Sequence, residues 1–241
     1  MAKLWFDSLK TILPILKLKV FLQGPYDIAG DTMTTSINNI LPDTSVYSAA
    51  PDTATLPIPP NITDWVLLEI RGSNGTTVIK SKSCFLRNDG IVVDPKTYSE
   101  NISLGINLGN YYIVIKHRNH LGVMSNDVVQ LNGLTSYDFT TGSGQYYGTG
   151  GAKELEPGIW GMWAGDVNRD GIIKYSDLNN DRLEILIRLG FIQTTSVNGY
   201  YSEDVNMDGV VKYSDISNDR LIILNNLDFI QTSSKSTQVP N

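Results

Sequence analysis

Between residues 18 and 140 the chain runs in short apolar stretches that alternate with polar positions and are broken by Gly, Pro, Asn and Asp. That punctuation predicts strands, at the spacing of an all-β sandwich. The predicted strands are 18–23, 64–71, 77–87, 91–93, 102–106, 111–117, 122–125, 128–131 and 137–140. Segment 64–71 sets Val66, Leu68 and Ile70 against Trp65, Leu67 and Glu69. It is apolar on nearly both faces, so it is expected in the middle of a sheet. Segment 41–61, rich in Pro, Thr, Ser and Ala, reads as a long surface excursion. Beyond residue 160 the period changes. Residues 181–190 carry apolar side chains at three- and four-residue spacing and end in Gly190, and 219–227 repeats the pattern, which predicts two helices. Neither could bury its stripe alone, so the two are expected to pack together.

Before each predicted helix stands a near-copy of one loop. Asp166-Val167-Asn168-Arg169-Asp170-Gly171-Ile172-Ile173-Lys174-Tyr175-Ser176-Asp177 returns 38 residues later as Asp204-Val205-Asn206-Met207-Asp208-Gly209-Val210-Val211-Lys212-Tyr213-Ser214-Asp215. Asp, Asn and Asp at positions one, three and five put hard oxygen donors on one side of a curled backbone, as calcium requires. Gly at position six takes the sharp bend, Ile172 or Val210 at position seven can turn a carbonyl inward, and Asp177 or Asp215 at position twelve closes the shell. Ile173 and Val211 are expected to pair across a short bridge between the loops. The same Asp-x-Asn-x-Asp-Gly string also makes a stable Asx-turn with no ion, but two copies in register favour a metal role.

At these residues the chain resembles the dockerin type of calcium-binding repeat, in which two EF-hand-like loops each lead into a helix. The resemblance covers roughly the last third of the sequence. It implies two bound Ca2+ ions, a secreted or cell-surface protein, and docking to a cohesin-like receptor domain or other cell-surface component. In that family positions ten and eleven touch the receptor, which here points to Tyr175, Ser176, Tyr213 and Ser214. Two departures stand out. Position nine is Lys174 or Lys212, and Asn180-Asp181-Arg182 recurs as Asn218-Asp219-Arg220. The second motif resembles a variant at the C-termini of large secreted bacterial proteins, in which the downstream Asp shares or takes over the closing role. Asp181 and Asp219 are therefore reserve ligands. Segments 18–24, 64–66 and 116–121 resemble a β-rich region that precedes such repeats, with structural motifs only.

The expected organisation is mainly β with a small α module: residues 1–17 a leader or truncation scar, 18–160 an Ig-like β-sandwich, 161–232 the dockerin-like calcium repeats, and 233–241 a disordered tail. The formal net charge is −6. From residue 161 onward seven Lys or Arg face eleven Asp or Glu, a balance of −4. Empty calcium sites produce that acidity, and it argues against nucleic acid as a partner. No transmembrane span is present, and Asp7 and Lys10 interrupt any signal-peptide core. Cys84 is the only cysteine and is expected as a small core residue.

Catalytic patterns are missing. His117 and His120 could form half of a zinc site, but three positions along a strand would set them on opposite faces, and a satisfied buried histidine is the favoured reading. No nucleophile elbow, His-Glu-x-x-His, phosphate loop or dinucleotide fingerprint occurs. None of the six glutamates pairs evidently with a second carboxylate as glycoside hydrolysis needs. Trp160 and Trp163 are expected at the seam between sandwich and repeats, with a sugar-binding platform as the sharper alternative. The sequence therefore favours a non-catalytic extracellular attachment unit that binds calcium. The rival readings are a carbohydrate-binding or hydrolytic component of a polysaccharide-degrading system, with glycan as partner, and a stabilising clip with no receptor.

Overall fold

A computed structural model describes residues 13–240. The chain opens with β1 (Ile15–Lys19), a small hairpin of β2 (Tyr26–Asp27) and β3 (Thr32–Met33), then β4 (Ile62–Arg71) and β5 (Val78–Arg87). β6 (Val92–Val93), β7 (Ile102–Ser103), β8 (Gly109–Lys116), β9 (Val123–Met124), β10 (Val129–Leu131) and β11 (Leu134–Asp138) follow. After the hairpin β12 (Lys153–Glu156) and β13 (Ile159–Gly161) come the repeats: β14 (Ile172–Lys174), α1 (Asp181–Arg188), β15 (Ser196–Asn198), β16 (Val210–Lys212), α2 (Asp219–Asn226) and β17 (Ser234–Ser236).

The first part is a sandwich-like pair of sheets, ordered β11-β1-β7 and β10-β8-β4-β5-β6, with β9 also on β8. β4 is central, as its two apolar faces predict, and all ten of its residues are buried. Trp65 lies opposite Phe85 of β5, ring centroids 3.9 Å apart, and Cys84 is wholly buried beside them. Burial pushes the Cys84 thiol up to about 12, which makes it an inert packing residue. The excursion 41–61 covers this sheet: the Tyr47 hydroxyl donates to the Trp65 carbonyl, and the Trp65 indole donates to the Pro42 carbonyl.

The N-terminal boundary differs from expectation. Residues 15–17, expected in a leader, belong to β1, where Leu16 is fully buried and pairs with both Thr135 and Ile102. Leu13 and Pro14 lead directly into β1, and residues 1–12 of the expected leader lie outside the described residues.

The two repeats exchange strands. β14 of the first loop pairs with β17, which follows the second helix, and β16 of the second loop pairs with β15, which follows the first. Ile173 therefore faces Lys235, and Val211 faces Val197, not each other as the sequence suggested. Both are still wholly buried in one core with Ile185, Leu186, Ile223 and Leu227. The expected disordered tail is also corrected, because it supplies β17 and continues to Val239, which packs on Val114 and Met124.

Candidate functional site

Each repeated loop is a cage of backbone N–H groups around carboxylates. The Asp204 carboxylate accepts from Asp208 N and from Gly209 N at 2.9 Å, and Asp166 accepts from Gly171 N. Asn168 and Asn206 accept from the backbone two residues on, and their amide groups donate to the carbonyls of Asn179 and Ser217. Asp170 and Asp208 accept from Ile172 N and Val210 N, each at 2.8 Å. Gly171 and Gly209 turn with φ of +82° and +88°, the left-handed region that position six needs.

The two candidates for the closing position of each loop are placed differently. Asp177 and Asp215 are exposed, at φ of +73° and +78°, and turn away before the helix begins. Asp181 and Asp219 are the first residues of α1 and α2 and have no exposed surface. One oxygen of Asp181 accepts from Val167 N at 2.7 Å and Asn168 N at 3.3 Å, and the other from Lys174 N at 2.7 Å. Asp219 repeats this on Val205, Asn206 and Lys212. Four more residues of loop thus put Asp181 and Asp219, and not Asp177 and Asp215, where the backbone donors converge.

Burial raises the carboxylates of both loops. Asp166 and Asp204 rise to about 6, Asp181 to about 7 and Asp219 to about 8, and in each loop the two acids repel one another. Lys at position nine faces the acid at position five instead: the Lys212 ammonium lies 3.2 Å from Asp208 and that of Lys174 lies 3.8 Å from Asp170. The donor chemistry suits a hard cation, yet among the described residues no group of three or more His, Cys, Asp or Glu is gathered to hold a metal ion.

The residues expected to meet a receptor are used internally. Tyr175 and Tyr213 are buried. Arg182 stacks on Tyr175 and donates to the Tyr213 hydroxyl, while Arg220 stacks on Tyr213 and donates to that of Tyr175, so the rings lock the repeats together. Ser176 donates to the Gln231 carbonyl and Ser214 to that of Gln193, both at 2.6 Å. These bonds bring the turn after each helix beside the other repeat's loop.

Leu178 stands two residues beyond Ser176, and Phe229 and Ile230 stand just before Gln231; Ile216, Phe191 and Ile192 are placed in the same way about the Ser214–Gln193 bond. All six are solvent-facing, from 57% for Ile230 to 90% for Ile216. The sequence carried a signal for these patches that periodicity passes over: Phe-Ile-Gln-Thr stands unchanged at 191–194 and 229–232, beyond both apolar stripes.

A buried polar network joins the sandwich to the repeats. Asp64 of β4 accepts from His117 at 3.0 Å, Arg118 at 2.8 Å and the Tyr200 hydroxyl at 2.6 Å. Burial opposes its charge, but the Arg118 guanidinium and these donors hold its carboxyl down at about 2. Arg118 also donates to the Tyr201 carbonyl, and Asn119 to the carbonyls of Ser202 and Asp204. Gln23 exchanges hydrogen bonds with Asn226. His117 and His120 do not lie on opposite faces, because β8 ends at Lys116; their Nδ1 atoms are 2.9 Å apart. Trp163 sits in the repeat core with Leu121 while Trp160 packs on the sandwich, so this pair does form the seam.

No protein-family model and no curated protein matches the chain. Among solved structures it is similar to two crystal structures of type II cohesin–X-dockerin complexes from Acetivibrio cellulolyticus, a C-terminal and an N-terminal interface mutant. The first is 15% identical over 88% of this chain and 94% of that one, with a TM-score of 0.40. The second is 16% identical over 87% and 94%, with a TM-score of 0.42. So loose a fit transfers neither component's identity. The identification of residues 161–232 as a dockerin-type, EF-hand-like pair is corrected: among the described residues no group of three or more His, Cys, Asp or Glu is gathered there to hold a metal ion.

Proposed function

We propose that this chain is a non-catalytic docking module, placed outside the cell or on its surface, that binds a protein partner through its repeat pair. The observation that carries the reading is a duplicated set of exposed apolar side chains, Leu178, Phe229 and Ile230 flanking the Ser176–Gln231 bond and Ile216, Phe191 and Ile192 flanking the Ser214–Gln193 bond. Large apolar side chains held in the open by a rigid core are the usual mark of an interaction site. Because the patches are near copies, either could seat the same partner. A glycan platform has no comparable support, since Trp163 is buried under Lys153 and Lys235.

The test is crosslinked capture from the cell-surface fraction with three variants: Phe229→Ser, Phe191→Ser and both together. A partner kept by each single variant and lost by the double one supports the reading. A partner held equally by all three refutes it, and concentration-dependent dimerisation without a partner would assign the patches to self-association.

Calcium is part of the proposal independently of any family. The ligands would be Asp166, Asn168, Asp170, the Ile172 carbonyl and Asp181, and in the second loop Asp204, Asn206, Asp208, the Val210 carbonyl and Asp219. Support comes from the oxygen-rich donor set and from the two buried acids of each loop, whose mutual repulsion a cation would relieve. Calorimetry should give two sites with dissociation constants on the order of 10⁻⁶ to 10⁻⁴ M. No heat of binding would leave Lys174 and Lys212 as the loops' cations.

A further inference from the structure

The two histidines are joined in a hydrogen-bonded wire whose proton positions the geometry fixes. Asp64, held as a carboxylate, can only accept, so the proton between it and His117 sits on His117 Nε2. At the other end the backbone N–H of Gly24 must donate, at 3.1 Å, so His120 Nε2 is a bare acceptor. The proton of His120 is then on Nδ1, which lies 2.9 Å from His117 Nδ1 and 2.8 Å from Asn119 Oδ1, both acceptors. Two rings hold two protons and every position is filled.

That wire ends on the contact between the sandwich and the second repeat. Gly24 is pressed against the Val205 carbonyl so closely that a Cβ there would lie 2.1 Å from the oxygen. Asn119, whose Oδ1 faces His120, uses its amide group to hold the carbonyls of Ser202 and Asp204. We propose that His117 and His120 form a proton-operated latch between the sandwich and the second repeat, closed with two protons on the pair and opened by a third.

A third proton has only two places. On His117 Nδ1 it meets the N–H of His120, and on His120 Nε2 it meets the N–H of Gly24; either way a donor faces a donor in a buried site. The surrounding charges leave no compensation. Asp64 is already matched by Arg118, and its other oxygen takes the Tyr200 hydroxyl; Asp204 is the second carboxylate near Arg118, and burial keeps the Tyr47 and Tyr200 phenols neutral. Both rings are buried against a cleft of about 450 Å³. Its other titratable groups are Arg71, Lys116 and Arg169 against Asp166 and Asp170, which give no net negative field. Burial accordingly holds both imidazoles below their ordinary pKa.

The experiment is nuclear magnetic resonance on the full chain. At pH 7.5, ring nitrogen shifts should show His117 protonated at Nε2 and His120 at Nδ1. On acidification, amide exchange at Gly24, corrected for the intrinsic rate, should lose about tenfold protection per pH unit once the unfolded-state histidine range is passed, one proton being taken up on opening. Amides of the β4–β5 ladder should hold. His117→Gln/His120→Gln keeps an acceptor for Gly24 and removes both titrating rings, so its Gly24 protection should be flat with pH. The proposal is overturned by the opposite tautomers or by rings that become charged while Gly24 stays protected. It is equally overturned if the His117→Gln/His120→Gln variant keeps the same slope, which would assign the transition to the loop carboxylates. The wild-type spectra decide the matter if that variant does not fold.

Discussion

Three backbone N–H groups converge on the Asp181 carboxylate and three on Asp219, and no other side chain reaches those donors. Removing the acceptor strands them in a buried loop. Asp181→Ala should therefore cost about 3 kcal/mol, whereas Asp177→Asn, at an exposed carboxylate, should change stability by less than about 0.5 kcal/mol. Denaturant midpoints of the two variants decide between the closing residues, and equal losses would restore Asp177. The same burial fixes a pH response in chelator. The folded carboxyls titrate near 7 and 8 against an ordinary 3.8, so the native repeats hold more protons than the unfolded chain between those values. Their contribution is complete below about pH 4 and is lost as pH rises through 7 to 8. The helical signal of residues 161–232 should melt higher at pH 5 than at pH 8.5 without calcium, and calcium should abolish the difference if the loops bind it.

Both helices begin and end by local rules that the sequence already displays. Asn180 and Asn218 cap α1 and α2, each accepting from the N–H three residues on, and Asn180→Ala should cost about 1 kcal/mol. At the other end the repeats differ: Gly190 follows the first helix at φ +59°, but Asp228 occupies the equivalent place at φ +52°. A left-handed Asp is strained where Gly is not. Asp228→Gly should thus stabilise the module by about 0.5 kcal/mol, and a lower melting temperature for that variant would contradict it. Elements were legible because their signals are local. Strands 64–71 and 77–87 and the two helices fall within two residues of their expected limits, each being set by alternation, caps or turn residues. The hairpin of β12 and β13 was not, since three of the four residues of Lys153–Glu156 are charged, and the chain just beyond it is held from far away, the Phe21 carbonyl receiving the Met162 N–H.

Long-range pairing was the part the sequence concealed. Two near-identical loops suggest a bridge between themselves, yet Ile173 and Val211 each take a partner from the strand after the opposite helix, because that exchange lets both helices share one core. The His117–His120 contact was hidden for a related reason: parity along a strand says nothing once the chain leaves β8 at Lys116. The consequence for the whole molecule is that the chain's last residues belong to its first repeat. β17 pairs with β14, Thr237 N donates to the Gly171 carbonyl, and the Thr237 hydroxyl donates to the Gly122 carbonyl of the sandwich. Val239 then fills a small cluster with Val114 and Met124, and the Pro240 carbonyl accepts from Arg71 at 2.6 Å. Deleting residues 234–241 removes all of these at once, and it bares the edge of β14 while β15 and β16 stay paired. Hydrogen exchange should therefore rise at Ile172–Lys174 much more than at Val210–Lys212, an asymmetry of at least about tenfold for a local loss of 1.4 kcal/mol or more. Equal exchange at both loops in the truncated protein would mean that the terminal strand does not bind the first repeat to the sandwich.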